Sequence, residues 1–302
     1  MAESESLLER LRRHKGAGEH LGVLKAAREI LNEPSVYTDQ ALLEVARAGA
    51  TAAMELRELN GAGLCVEFER MVAEKMDDPE LVAMAAFRQA TVKMEVGDSA
   101  EALGHFQTFI EVDGSGRPGL DRFRGMAHFN LGTVLMWRKD YVEAGNAFRQ
   151  AREAFLEQGN TEWVIRSILQ VAWSEVTAGR PEPAGAYLDQ AQELLAEFED
   201  ADLRTTALCH RAYYHYTVGE LDLALNLCNE VLAVGRQHTT PHQMGEAAWI
   251  AGECRFAQGH LPQALDLAKQ ALEIALSESW SSGMSRAGNL RTRILRAMDQ
   301  TA

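Results

Sequence analysis

Small residues recur at a fixed interval along this chain, and that recurrence limits what it can fold into. Gly132 is followed 12 residues later by Ala144, then by Phe148 and Ala151. Forty residues on, Ala172, Ala184, Leu188 and Ala191 repeat the spacing, followed by Ala212, Ala224, Cys228 and Val231 and then by Gly252, Ala264, Ala268 and Ala271. Upstream, Ala90, Ala102, Phe106 and Phe109 stand a step of 42 earlier, and Ala50, Ala62 and Val66 form a fainter copy. Self-similarity at such a period marks a repeat architecture, in which each unit covers the apolar face of the next.

Between the first and second small residues of each copy a turn recurs: VGDS at 96–99, RKDY at 138–141, AGRP at 178–181, VGEL at 218–221 and QGHL at 258–261. The segments between turns are rich in Ala, Leu, Glu, Gln and Arg, and the chain has only seven prolines, so each unit reads as helix, tight turn, helix. No stretch alternates as a strand would. Helices joined by so short a turn pack antiparallel, and the small anchors let them approach closely. The pattern predicts an all-α solenoid of about seven pairs, at 4–32, 37–75, 79–112, 121–157, 161–198, 202–237 and 242–278. It divides the chain into an N-terminal pair within 1–36, repeats over 37–278 and a capping helix in 279–302, whose Arg-rich face substitutes for a missing neighbour.

These residues resemble the tetratricopeptide repeat family: FNLG at 129–132, DYVEAGNAFRQA at 140–151, GELDLALNLC at 219–228 and GHLPQALDLAKQAL at 259–272. The step is longer than that family's usual ~34 residues. In this it is similar to the Rap-type peptide receptors of bacteria and to the sensor domains of maltose-type activators. The resemblance implies a right-handed superhelix whose first helices line a concave groove that holds a protein segment or peptide. It also implies that an Asn at the place of Asn130 contacts peptide main chain.

Composition narrows the partners. Asp and Glu outnumber Lys and Arg 44 to 30, a formal charge of −14 that repels phosphate backbones and argues against direct nucleic-acid binding. MAESESLLERLRRHKGAGEH lacks the apolar core of a secretory signal, and no run long enough to cross a bilayer occurs, so a cytoplasmic protein off the membrane is expected. Cys65, Cys209, Cys228 and Cys254 are scattered without a CxxC pair and read as reduced core residues.

GSGRPG at 114–119 satisfies G-x-G-x-x-G, but a helix precedes it and no βαβ unit follows, so it reads as an inter-repeat loop. His238 and His242 flank Thr-Thr-Pro at a helix start rather than sharing one turn, and His210 and His215 splay to different faces of one helix. No HExxH, Walker A loop or nucleophile elbow is present, so no cofactor, metal or enzymatic activity is expected.

The binding candidates lie on the first helices. Phe129 and Met136, Trp173, Tyr213 and Tyr216, and Trp249 fall at i, i+4, i+7 spacings around the anchors, each set on one face, and Trp137 is a further candidate that helix packing leaves unexplained. They serve either as inter-repeat core or as groove apolar surface. Two residues before each anchor stand Arg88, Asn130, Gln170 and His210, a ladder of hydrogen-bonding groups suited to gripping peptide main chain, with solvated surface as the alternative. Three after the anchors, where the family prefers large apolar residues, stand Lys93, Glu175, His215 and Arg255, a row that is either exposed or lines a polar pocket. The Lys and Arg clamp with which chaperone-docking members hold a C-terminal carboxylate is absent from the strong repeats, whose equivalents are Phe129, Thr133, Gln170, Thr206 and His210. Three functions remain: a protein- or peptide-binding scaffold using the groove, a Rap-type signal-peptide-responsive regulator acting through a second protein, and an assembly factor using a convex acidic face. Oligomeric state is left open.

Overall fold

Capping residues and glycine turns in the sequence mark the boundaries of several of the helices. The computed structural model describes residues 6–113, 117–238 and 240–301, with residues 234–238 and Thr301 described for backbone alone. It divides into two units, Met1–Asp140 and Tyr141–Ala302. The first holds α1 (Leu7–Gly16), α2 (His20–Asn32), a 3₁₀ turn at Pro34–Val36, α3 (Asp39–Glu55), α4 (Leu59–Lys75), α5 (Pro79–Val96), α6 (Ser99–Asp113) and α7 (Asp121–Arg138). The second holds α8 (Tyr141–Glu157), α9 (Thr161–Thr177), α10 (Pro181–Glu197), α11 (Ala201–Thr217), α12 (Leu221–His238), α13 (Pro241–Ala257), α14 (Leu261–Ser277) and α15 (Ser281–Thr301). All regular structure among the described residues is helical, and the seven predicted pairs and the final single helix are all present.

Helix starts are capped as the sequence requires. The Asp78 carboxylate accepts from the Glu80 and Leu81 amides at 2.9 and 3.3 Å, Asn160 Oδ1 from Trp163 at 3.3 Å and Asp200 Oδ1 from Leu203 at 2.9 Å. Each such cap contributes about 1 kcal/mol. Helix ends turn through the left-handed region at Gly97, Gly179, Gly219 and Gly259, with φ of +85°, +76°, +86° and +78°. In the α7–α8 turn Lys139 takes that place at φ +69°, a conformation disfavoured for a side chain with a Cβ.

The same turns explain the unassigned charged row. The amides of Asp98, Arg180, Glu220 and His260 donate at 2.9 Å to the carbonyls of Lys93, Glu175, His215 and Arg255, closing the helix end. The side chains of these last four residues are engaged too, at the turn or on the helix beside it; Glu175 also accepts from Arg149 of α8 at 2.9 Å. Lys93 pairs with Glu101 at 2.5 Å, Glu175 with Arg180 at 2.7 Å, His215 with Glu220 at 2.6 Å, and Arg255 donates to Gln258 Oε1 at 2.9 Å. The row is neither free surface nor pocket lining; it fastens each first helix to the turn that follows it.

The anchors form the core. In the first unit Ala90, Ala102, Phe106 and Phe109 are fully buried with Ala127 and Val134. Leu11, Leu24 and Ile30 of α1 and α2 share one core with Leu43, Val45 and Cys65 of α3 and α4. In the second unit Ala212, Ala224, Cys228 and Val231 are sealed against Ala247, Ile250 and Cys254. All four thiols are free and buried, and burial pushes the Cys65 thiol up to about 11 and that of Cys254 to about 12. At Gly252 a Cβ would meet Leu290 Cδ2 at 2.9 Å, so this anchor is small because α15 lies against it. Leu290 and Ile294 of α15 close the core over Ala264 and Ala268 of α14.

Candidate functional site

In the second unit successive first helices touch: α9 meets α11, α11 meets α13, and α13 meets α15. Among the described residues the second helices show no comparable pairing, so the first helices lie on the inner side of this unit. Helix α15, which has no second helix after it, occupies the place of one more first helix.

Aromatic rings step across that inner face. Trp173 on α9 stacks on His210 and Tyr213 of α11, each with ring centroids 4.7 Å away, and Tyr213 continues to Trp249 on α13 at 5.5 Å and to Tyr216 at 6.1 Å. Trp173 is buried, whereas Tyr213, Tyr216 and Trp249 are partly exposed along the seam between helices. The rings therefore belong to the inter-repeat contact and also present edges to the inner face. Offset rings at these separations contribute about 1 kcal/mol per pair beyond their buried area.

Two arginines of α15 finish the row. The Arg286 guanidinium lies 5.3 Å from the Trp173 ring and 5.2 Å from Trp249, with Glu246 Oε1 at 3.4 Å. Arg293 pairs with Glu253 at 2.8 Å and covers Phe256 at 4.8 Å, and Tyr216 Oη donates to Glu253 Oε2 at 3.3 Å. Each arginine stands 40 residues after its glutamate, one repeat step. That equal offset is legible in the sequence as an opposite-charge pair at equivalent repeat positions. Burial pushes the Glu246 carboxyl up against the opposing pull of Arg286. Burial also carries the His210 imidazole down to about 4. Its Nδ1–H donates to the Leu169 carbonyl at 3.1 Å, a bond that opposes the effect of burial without overcoming it and ties His210 into the wall.

The proposed polar ladder thus divides. In the second unit Gln170 is half-buried, and its amide has no hydrogen bond among the described residues, while His210 is engaged. In the first unit Asn130 on α7 is likewise half-buried without a side-chain hydrogen bond among the described residues. Arg88 is engaged: its Nη1 donates to Glu69 Oε1 at 2.7 Å and to the Met84 carbonyl at 3.2 Å. Phe129 and Met136 are half-buried on α7, and Trp137, 54% exposed, sits at its C-terminal end. Glu69, contributed by α4 and fully buried, also accepts from Arg47 Nε of α3 at 2.6 Å. Both stand in the repeat register: Glu69 follows Ala62 by the seven residues that separate Ala102 from Phe109 and Ala144 from Ala151, and Arg47 precedes Ala50 by three, as Phe129 precedes Gly132. A charged residue at an otherwise apolar anchor place, with an arginine in the row before it, is the signal that marks this pair in the sequence.

The remaining motifs acquire no chemistry. Gly114, Ser115 and Gly116 of the glycine-rich stretch, and the His238 side chain, lie outside the described residues. His242 stacks on Trp280 with centroids 3.8 Å apart, and burial lowers its proton affinity. His215 and His210 point to different partners, Glu220 and Leu169. No group of three or more His, Cys, Asp or Glu among the described residues is placed to hold a metal, and no described helix is long and apolar enough to cross a membrane.

No protein-family model matches the chain, and no curated protein matches it. Solved structures do match. The apo form of RapI aligns over 90% of this chain and 97% of its own at 14% identity and a TM-score of 0.68. A tetratricopeptide repeat protein from Parabacteroides merdae ATCC 43184 aligns over 96% and 97% at 15% identity and a TM-score of 0.64. NprR in complex with its cognate peptide NprX aligns over 96% and 82% at 13% identity and a TM-score of 0.62. The likeness is one of fold, and the fold is an all-α repeat solenoid of the tetratricopeptide type, similar to that of the Rap-type receptors.

Proposed function

We propose that this protein is a non-catalytic scaffold that binds a peptide or protein segment on its first-helix faces. One observation carries the reading: on the inner face of the second unit the unengaged Gln170 amide stands one helical turn from the Trp173–Tyr213–Trp249 row. An amide offers a donor and an acceptor together, as a peptide bond requires, and the adjoining ring edges offer apolar surface with little entropy to lose. Asn130 supplies the same chemistry on α7 of the first unit. Catalysis finds no comparable support, since the buried ionisable groups near these faces are bonded to one another or to backbone. The fold of NprR, solved with its cognate peptide, is consistent with the reading. The scaffold acts in the cytoplasm on this reading, consistent with four unpaired buried thiols.

A more specific form is a signal-responsive regulator, in which the bound peptide alters contact with a second protein; the likeness to RapI at a TM-score of 0.68 favours it over an assembly role for a convex face. Such a regulator contracts on binding, measurable by solution scattering.

A capped-peptide array probed with the full chain tests the primary reading. Gln170→Ala and Tyr213→Leu should each weaken selected spots at least about tenfold, the loss of a well-made contact of ~1.4 kcal/mol. Glu193→Lys on the outer surface of α10 should leave them unchanged. Loss with Glu193→Lys and retention with the two inner-face variants overturns the groove.

A further inference from the structure

The first-helix face of the first unit carries surplus positive charge in a protein whose formal charge is −14. Between α1 and α3 runs a cleft of about 530 Å³ lined by Arg12, Lys15, Glu44 and Arg47 with Gln40 and Leu8. A smaller cleft of about 170 Å³ shares Lys15 and Arg47 and adds His20. Arg12 is neutralised there by Glu44, through bonds of 3.0 and 2.6 Å. Lys15 is exposed and carries no ion pair among the described residues.

Arg47 is only partly compensated. It shares a single carboxylate oxygen, Glu69 Oε1, with Arg88 of α5. Arg122, exposed at the start of α7, lies near enough to act on Arg88. Burial most strongly lowers the proton affinity of Arg88, Glu69 opposes this, and the Arg47 and Arg122 cations add to the lowering. Arg12, Lys15, Arg47, Arg88 and Arg122 thus bring five cations to α1, α3, α5 and α7, and among the described residues their ion pairs are those of Arg12 with Glu44 and of Arg47 and Arg88 with Glu69. The buried Glu69 Oε2 has no hydrogen-bond partner among the described residues. Glu69 therefore fixes two guanidinium groups in place without saturating their donors.

We propose that this face docks an acidic peptide segment, its Asp or Glu carboxylates accepting hydrogen bonds from Lys15, Arg47, Arg88 and Arg122. The inference rests on the reading of first-helix faces as ligand surfaces and adds the chemistry of the occupant for this unit alone. Guanidinium forks match carboxylates geometrically, and a pair already held by Glu69 loses little further freedom on binding. Packed helices lie ~8–10 Å apart, and an extended polyproline-type segment brings every third residue to the same side about 9 Å further on. Carboxylates three residues apart would therefore meet successive first helices. A long polyanion fits less well, because the charge of the whole chain repels it beyond this short patch.

Fluorescence anisotropy with the full chain tests this, using capped, dye-labelled (Glu-Pro-Pro)₄, its (Gln-Pro-Pro)₄ counterpart and an oligothymidylate of matching charge. In about 50 mM salt, where screening is weak, the Glu peptide should bind at least about tenfold more tightly than the Gln peptide and should lose most of that advantage near 0.3 M. The double variant Lys15→Gln/Arg122→Gln removes two exposed cations that make no ion pair among the described residues, so the fold is retained, and it should cost fivefold or more. Glu193→Gln, on the exposed side of α10 in the other unit, should change nothing. Equal binding of the Glu and Gln peptides, an unaffected double variant, or tighter binding of the oligothymidylate overturns the proposal. The peptide array with the second-unit variants reports separately on the groove itself, so either reading can fail while the other stands.

Discussion

The inner faces of the two units are built from equivalent helices yet solve the problem of burying polar groups in opposite ways. In the second unit Arg286 and Arg293 of α15 each have a separate glutamate one repeat away, Glu246 and Glu253, and aromatic rings fill the space between. In the first unit the aromatic residues turn inward, Phe87 meeting Phe106, Phe109 and Phe123 at 5.6–6.0 Å, and the inner face is left to arginines that share one carboxylate. Repeat geometry thus dictates where a side chain stands, while the identity of its neighbour one repeat away decides whether that position is wall, ion pair or open contact.

The largest expected effect separates the units by acidity. His210 is held neutral by burial, with its proton affinity lowered to about 4 from the usual 6.5. Between those values the unfolded chain binds the additional proton, so its contribution is fully present above pH ~6.5 and is lost as pH falls through 4, by up to about 3 kcal/mol. The raised Glu246 carboxyl acts in the other direction, its contribution fading as pH rises above the ordinary carboxylate range. Denaturant titrations from pH 7 to 4 should therefore show a steeper loss for wild type than for His210→Gln. Parallel curves would mean that His210 binds its proton equally well in the folded and unfolded chain and that the wall is wet.

Shared and private carboxylates should also differ. Glu69→Gln leaves two partly buried guanidinium groups without a counter-charge and should cost about 2 kcal/mol, a figure reduced from that for fully buried pairs because Arg47 and Arg88 remain about a third exposed. Glu253→Gln, whose partner Arg293 is half exposed, should cost less than about 1 kcal/mol. Chemical denaturation of the two variants checks the order, and equal losses would remove the distinction drawn between the faces. The smallest effect belongs to the turn at the unit boundary: Lys139→Gly relieves a left-handed residue and should raise stability by up to about 1 kcal/mol, a melting-temperature gain of a few degrees.

Much of this was legible in the sequence, for identifiable reasons. Steps of 40 residues between Ala172, Ala212 and Gly252 fixed the helix pairs, because only small residues permit the approach that buries them. The charged row at Lys93, Glu175, His215 and Arg255 resisted reading because its role comes from the carbonyl each residue contributes to a helix-ending turn, which side-chain chemistry does not reveal. His210 stood in the polar ladder by spacing, but only the position of the Leu169 carbonyl one repeat back shows that it bonds inward. Asn130 and Gln170 occupied the same register, and nothing in the fold engages their amides among the described residues. The cationic face was hidden by the net charge, which averages a local surplus into a larger deficit.

The central claim is that ligand is read by first helices. Hydrogen exchange of the full chain, with and without a peptide selected from the array, addresses it directly. New protection is expected in first helices, on α9, α11 and α13 for a ligand held by Gln170 and the aromatic row, with α10, α12 and α14 unchanged. Protection concentrated in those second helices would contradict it.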